Sequence, residues 1–201
     1  MRKILTLLAA LAAACLTTPA QAQTSGAYAG VGVMSVTTDN ASDFAAVFYG
    51  PAGSGDSSAN GLKIYGGYVW PSRFGIEGGH YDLGSYEVRQ GGTKTDEFKV
   101  SAFAVSGTYT LPMGANFDAN FKVGLAFTSA DYTCVTNCGG IANTSKSGTA
   151  GLVGAGVGWR VAPNFTLRAD FEVFSAVPHS AVGQNVEFDY TAFSVSGQFK
   201  F

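Results

Sequence analysis

The sequence predicts an all-β protein, an eight-stranded antiparallel up-and-down transmembrane β-barrel, and three observations lead there. Eight segments of strand length that alternate between apolar and polar positions follow one another with no helical interval. The connections between them alternate long and short. Each short one contains a proline, Pro71, Pro112 or Pro163, which cannot continue a ladder and pre-sets a turn. Composition is the third observation: 46% of the residues are hydrophobic and 13% charged, with 27 glycines, 15 phenylalanines and 9 tyrosines, which suits a β-rich chain whose outside need not meet water.

The N-terminus reads as a leader. Arg2 and Lys3, an apolar run from Ile4 to Leu16 and the small-residue site Ala20-Gln21-Ala22 make residues 1–22 a signal peptide and 23–201 the barrel. The apolar run is shorter than the roughly twenty residues a spanning helix needs. Without Arg2 and Lys3 the 12 basic residues become 10, against 14 acidic, a charge of −4 that gives no basis for binding nucleic acid. Cys15 leaves with the leader. Cys134 and Cys138 remain, four positions apart in an exported chain, and read as a local disulfide; a metal site would need further ligands, and no histidine lies near them in sequence.

The strands are predicted in order as Gly26 to Val36, Gly61 to Trp70, Phe74 to Ser85, Glu97 to Leu111, Phe117 to Thr128, Gly148 to Val161, Phe165 to Ser175 and Phe188 to Phe201. The fifth is the clearest, with Phe117, Ala119, Phe121, Val123, Leu125 and Phe127 on one face and Asp118, Asn120 and Lys122 on the other. The fourth exposes Phe103, Val105, Tyr109 and Leu111, a parity that also turns Lys99 outward unless it sits at the rim or a bulge resets the register. Long loops are predicted from Thr37 to Asn60, Tyr86 to Asp96, Ser129 to Ser147 and Pro178 to Val186. Short turns on one rim and long loops on the other are what bacterial outer-membrane barrels show, with the long loops outside the cell.

Charge follows the same division. Lys63, Glu77, Asp118, Lys122, Arg160, Arg168, Asp170, Glu172 and Lys200 fall opposite the aromatic and branched face. In an eight-stranded barrel that polar face points into an interior just wide enough for side chains to fill, and five bases against four acids nearly cancel there. Trp70 and Trp159, each close to a short turn, are expected in an inner aromatic girdle. On the closing strand Phe193, Val195, Phe199 and Phe201 are expected to face lipid, with the first strand as antiparallel partner, which removes both sheet edges.

Gly61-Leu-Lys-Ile-Tyr-Gly-Gly-Tyr68, followed after the proline turn by Phe74-Gly-Ile-Glu-Gly-Gly-His-Tyr-Asp-Leu-Gly84, resembles the second and third strands of the OmpA-like small outer-membrane barrel family. The closing strand ending at Phe201 resembles the sorting signal read by the barrel assembly machinery. The resemblance implies an outer-membrane location, contact with outer-membrane lipid, and roles in envelope integrity, surface or host contact through the outer loops, or narrow pores. Larger relatives append a peptidoglycan-binding domain, which this sequence does not contain as far as Phe201.

The function expected is therefore structural or surface-interacting, with no cofactor and no enzymatic activity. A pore for ions or very small solutes is the alternative. A lipid-modifying enzyme is a further one, for which only His80 and His179 supply histidine bases; His179-Ser180 in a proline-bearing loop is no evidence of a nucleophile pair.

Overall fold

The computed structural model describes residues 25–38, 53–136, 143–181 and 184–201. Nine strands follow in chain order: β1 (Gly26–Thr38), β2 (Gly53–Gly55), β3 (Ser58–Val69), β4 (Phe74–Gln90), β5 (Thr93–Pro112), β6 (Phe117–Cys134), β7 (Thr144–Ala162), β8 (Phe165–Ala181) and β9 (Gln184–Lys200). Eight of them close a ring in the order β1-β3-β4-β5-β6-β7-β8-β9, every pair antiparallel, and β1 meets β9 through pairs such as Val33↔Val195 and Ala29↔Phe199. The short β2 pairs with β4 at Gly53↔Gln90 and Gly55↔Val88, above the stretch where β3 pairs with β4, and so extends the wall upward in the lane of β3.

The outside of the lower ring is apolar. On β6, Phe121, Val123, Leu125 and Phe127 are all about half exposed, and Ile64, Phe103, Val153, Phe171 and Phe193 continue the belt on other strands. The outward run from Phe117 to Phe127 spans eleven residues. At about 3.4 Å per residue and a tilt near 45° this covers about 25 Å, the height of a membrane barrel's apolar band.

The strands are longer than the sequence predicts, by several residues at the outer end and by no more than one at the inner, which corrects the loop assignments. Tyr86 to Asp96 is not a long loop: β4 runs to Gln90, β5 starts at Thr93, and only Gly91 and Gly92, with φ of 57° and 85°, make the turn. Both left-handed values suit the tight hairpin type that glycine favours. The loop predicted from Ser129 is likewise shortened by β6 running to Cys134 and β7 beginning at Thr144, and that from Pro178 by β8 and β9.

The physical reason is an exchange of faces. Above the apolar belt the inward side chains become the apolar ones and the outward ones polar. On β5, Phe103 and Val105 face out whereas Phe98 and Val100 are buried inside; on β6, Phe127 faces out and Ala130 and Tyr132 face in. Periodicity continues but its phase inverts, so a reading that follows one apolar face ends at the inversion. Lys99 keeps its outward parity, with no register shift against β6, and lies four residues beyond Phe103, above the belt. Bulges carry the inversion on β4 and β8. At Asp82/Gly84 the Asp82 Oδ1 accepts from the Gly84 backbone N–H at 3.1 Å, with Gly84 at φ 96°, and a second register shift separates Phe174 from Val177.

Candidate functional site

The interior of the barrel is the candidate site. Alternation on β8 points Arg168, Asp170 and Glu172 inward; β6 contributes Lys122, β4 Glu77 and β3 Lys63, and each of these six side chains is at most 5% exposed. Their ion pairs close on themselves. Lys63 Nζ donates to Asp170 at 2.8 Å and to Glu172 at 3.1 Å, Lys122 Nζ to Glu172 at 2.9 Å and to Glu77 at 2.6 Å, and Arg168 to Glu77 at 2.9 Å and to Asp170 at 3.0 Å. Every cation sits between two anions and every anion between two cations, so the ring is neutral. That arrangement matters because a buried charge without a partner is costly, while a well-geometried pair roughly offsets its own desolvation.

The pairs also cross the lumen. In the ring of eight strands β4 and β8 lie four places apart, on opposite walls, and the Arg168–Glu77 bridge joins them directly. Tyrosines complete the layer. Tyr28 donates to Glu77 Oε2 at 3.0 Å, Tyr81 to Glu172 Oε1 at 3.1 Å, and the Tyr65 hydroxyl pairs with Ser196 at 2.9 Å. The Tyr65 ring also lies 5.2 Å from Lys63 Nζ and 5.0 Å from the Arg168 guanidinium, within cation–π range.

Room for this layer comes from glycine. On β7 a Cβ at Gly156 would stand 2.1 Å from Asp170 Oδ1, and one at Gly154 3.0 Å from Lys122 Cγ. Across the β1–β3 ladder Tyr65 lies opposite Gly30 and Tyr28 opposite Gly67. These tyrosines, with Tyr81, Ser196 and the β7 glycines, were not legible as site residues in the charge pattern. A signal existed in the cross-strand pairing of tyrosine with glycine.

The remaining three predicted charges lie at the inner mouth, beside the short turns. Asp118 is 3.9 Å from Arg160 and accepts from Asn120 Nδ2 at 2.7 Å, while Arg160 Nη1 donates to the Ala115 carbonyl at 3.1 Å. Lys200 lines the same pocket of about 60 Å³. Above the charged layer the interior turns apolar. Leu83, Val100, Leu152, Phe174, Val177 and Ala192 are essentially fully buried there, with Tyr81 edge-on to Phe174 at 5.2 Å.

On the outside, Trp70 and Trp159 are about half exposed next to the short turns, near Tyr68 and Phe117 respectively. Phe193, Val195, Phe199 and Phe201 face outward, and the Phe201 N–H donates to the Ala27 carbonyl at 3.0 Å. His80 faces outward too, with Ile64 and Phe103 as its ladder neighbours. Cys134 ends β6, and Cys138 lies outside the described residues, as do residues 1–22 and the His179 side chain. Beyond the belt, Glu87 accepts from Lys94 at 2.9 Å and Arg89 at 2.6 Å, bonds that hold its carboxyl below the ordinary range, while Lys94, bonded to Glu97 and Glu87, is held above its own.

A closed ring of eight antiparallel strands, apolar outside over a membrane's thickness and charged within, defines an outer-membrane β-barrel. The family model for the outer membrane protein beta-barrel domain matches residues 6–201, and the chain belongs to that family. It is located in the bacterial outer membrane, embedded in lipid. No curated protein matches the chain. Among solved structures it is similar to Neisserial surface protein A, at 17% identity and a TM-score of 0.60, covering 88% of this chain and 97% of that one. It is similar also to OprG of Pseudomonas aeruginosa, at 12% identity and 0.62, covering 91% and 99%, and to the attachment invasion locus protein Ail of Yersinia pestis, at 13% identity and 0.55, covering 89% and 100%.

Proposed function

We propose that this protein is a closed structural barrel whose work is done at its outer end, in envelope integrity or in contact with a surface or host partner. The observation that carries this reading is the Arg168–Glu77 bridge between opposite walls, with the rest of the charged ring around it and an apolar core stacked above. A narrow pore would have to pass both layers. Enzymology on lipid draws no support from His80, which shares an outer groove with Ser101, Thr128, Ser129 and Ser147 but is hydrogen-bonded to none of them among the described residues. Removal of residues 1–22 as a signal peptide, a Cys134–Cys138 disulfide, and recognition of the Phe193-to-Phe201 strand by the barrel assembly machinery belong to the same proposal.

The outer end also narrows the partner. Among its described residues that are not buried, Arg89, Lys94, Lys99 and Lys146 stand against Asp56, Asp82, Glu87, Glu97, Asp131, Glu187 and Asp189, four bases to seven acids. Ail of Yersinia pestis has been solved with the heparin analogue sucrose octasulfate. A surface this acidic repels a polyanion, so a neutral or basic partner fits better.

The test compares cells expressing the full chain with cells expressing a variant in which residues 39–52 are replaced by a short Gly-Ser segment. Surface adhesion should fall while the folded barrel persists on unheated gels. Unchanged adhesion, together with unchanged detergent sensitivity on deleting the whole protein, would rule this reading out.

A further inference from the structure

We propose that the inner mouth of the barrel is a binding site for one small inorganic anion of halide size. The pocket between the charged ring and the short turns holds about 60 Å³, room for on the order of four water-sized bodies, and so excludes sugars, nucleotides and lipid headgroups. Its charge is unbalanced. The six-residue ring above is neutral by itself, and the charged side chains that line the pocket outside it are two bases, Arg160 and Lys200, and one acid, Asp118.

Two buried donors among the lining residues are also unpaired. Arg168 spends both Nη atoms on Glu77, Gln198 and Asp170, but its buried Nε–H has no partner, and neither has the buried hydroxyl of Thr108; both residues line the pocket. A buried donor left unmade is costly, more so when charged, so an acceptor is what the site lacks. The turns around the mouth add Arg73 and no acidic side chain, so the approach from the inner side is attractive to anions. A cation is disfavoured on the same grounds.

The experiment uses the full mature chain, refolded, crystallised and soaked in sodium bromide, with the anomalous signal locating the ion. Wild type should show a bromide peak in the mouth that chloride competes away. Arg160→Gln should lower its occupancy at least about threefold, and Asp118→Asn, which removes the competing carboxylate, should raise it. Heat-modifiability on gels reports whether each variant is folded, and should Arg160→Gln fail to fold, Asp118→Asn alone decides the sign. A mouth occupied by water only in wild type, or a bromide peak indifferent to both substitutions, would overturn the proposal.

Discussion

Glu77 shows how tightly a single side chain can be committed. It accepts from Lys122, Arg168 and Tyr28, and its neutralisation leaves three buried cations of the ring facing two anions. Glu77→Gln should therefore lower stability by about 3–5 kcal/mol, read from urea unfolding of the refolded barrel in lipid vesicles. The double variant Glu77→Gln/Lys122→Met, which restores the balance, should recover a large part of that loss. A single variant as stable as wild type would mean that the ring is not the strongly coupled unit described. At this scale the sequence was informative about charge and silent about geometry. Parity separates Lys63, Glu77, Lys122, Arg168, Asp170 and Glu172 from the lipid face, but which acid meets which base depends on the stagger of strands around the barrel. Asp118, Arg160 and Lys200 share the parity and yet lie at the mouth. Tyr28 and Tyr65 escaped because the inward set was identified by charge: Tyr65 shares the parity of Lys63, but only the glycine opposite each tyrosine across the ladder marks the room it fills.

Each strand is two half-strands of opposite polarity joined at the top of the apolar belt. The inversion falls between Val100 and Phe103 on β5, between Phe127 and Ala130 on β6, and at a bulge on β4. It explains why the eight strands are legible in the sequence only up to the belt: the outward apolar set ends there, and above the belt the outward positions are Ser101, Lys99, Ser129 and Asp131. The inward set Phe98, Val100, Ala130 and Tyr132 carried the missing signal with the other phase. If the inversion marks the membrane boundary, cost should depend on which side of it a charge is placed. Val123→Arg, in the belt, should cost about 2–4 kcal/mol, and Ser147→Arg, outward but above it, about 0–1 kcal/mol, both by unfolding from vesicles. Equal costs would move the boundary elsewhere.

For the molecule as a whole, the layers stack from the inner side outward as a basic mouth, a neutral ionic ring that joins opposite walls, and an apolar core enclosed by strands that rise beyond the lipid. The family resemblance pointed to the fold and left the lumen open as a question, because an interior of alternating charge is compatible both with a filled barrel and with a narrow channel. Contact between walls distinguishes them, and it depends on side-chain reach rather than on any motif. The most direct measurement is single-channel recording of the pure refolded chain in a planar bilayer under an applied potential. The structure predicts no steady conductance at neutral pH. A stable, protein-dependent conductance, reproducible across preparations, would contradict the closed barrel.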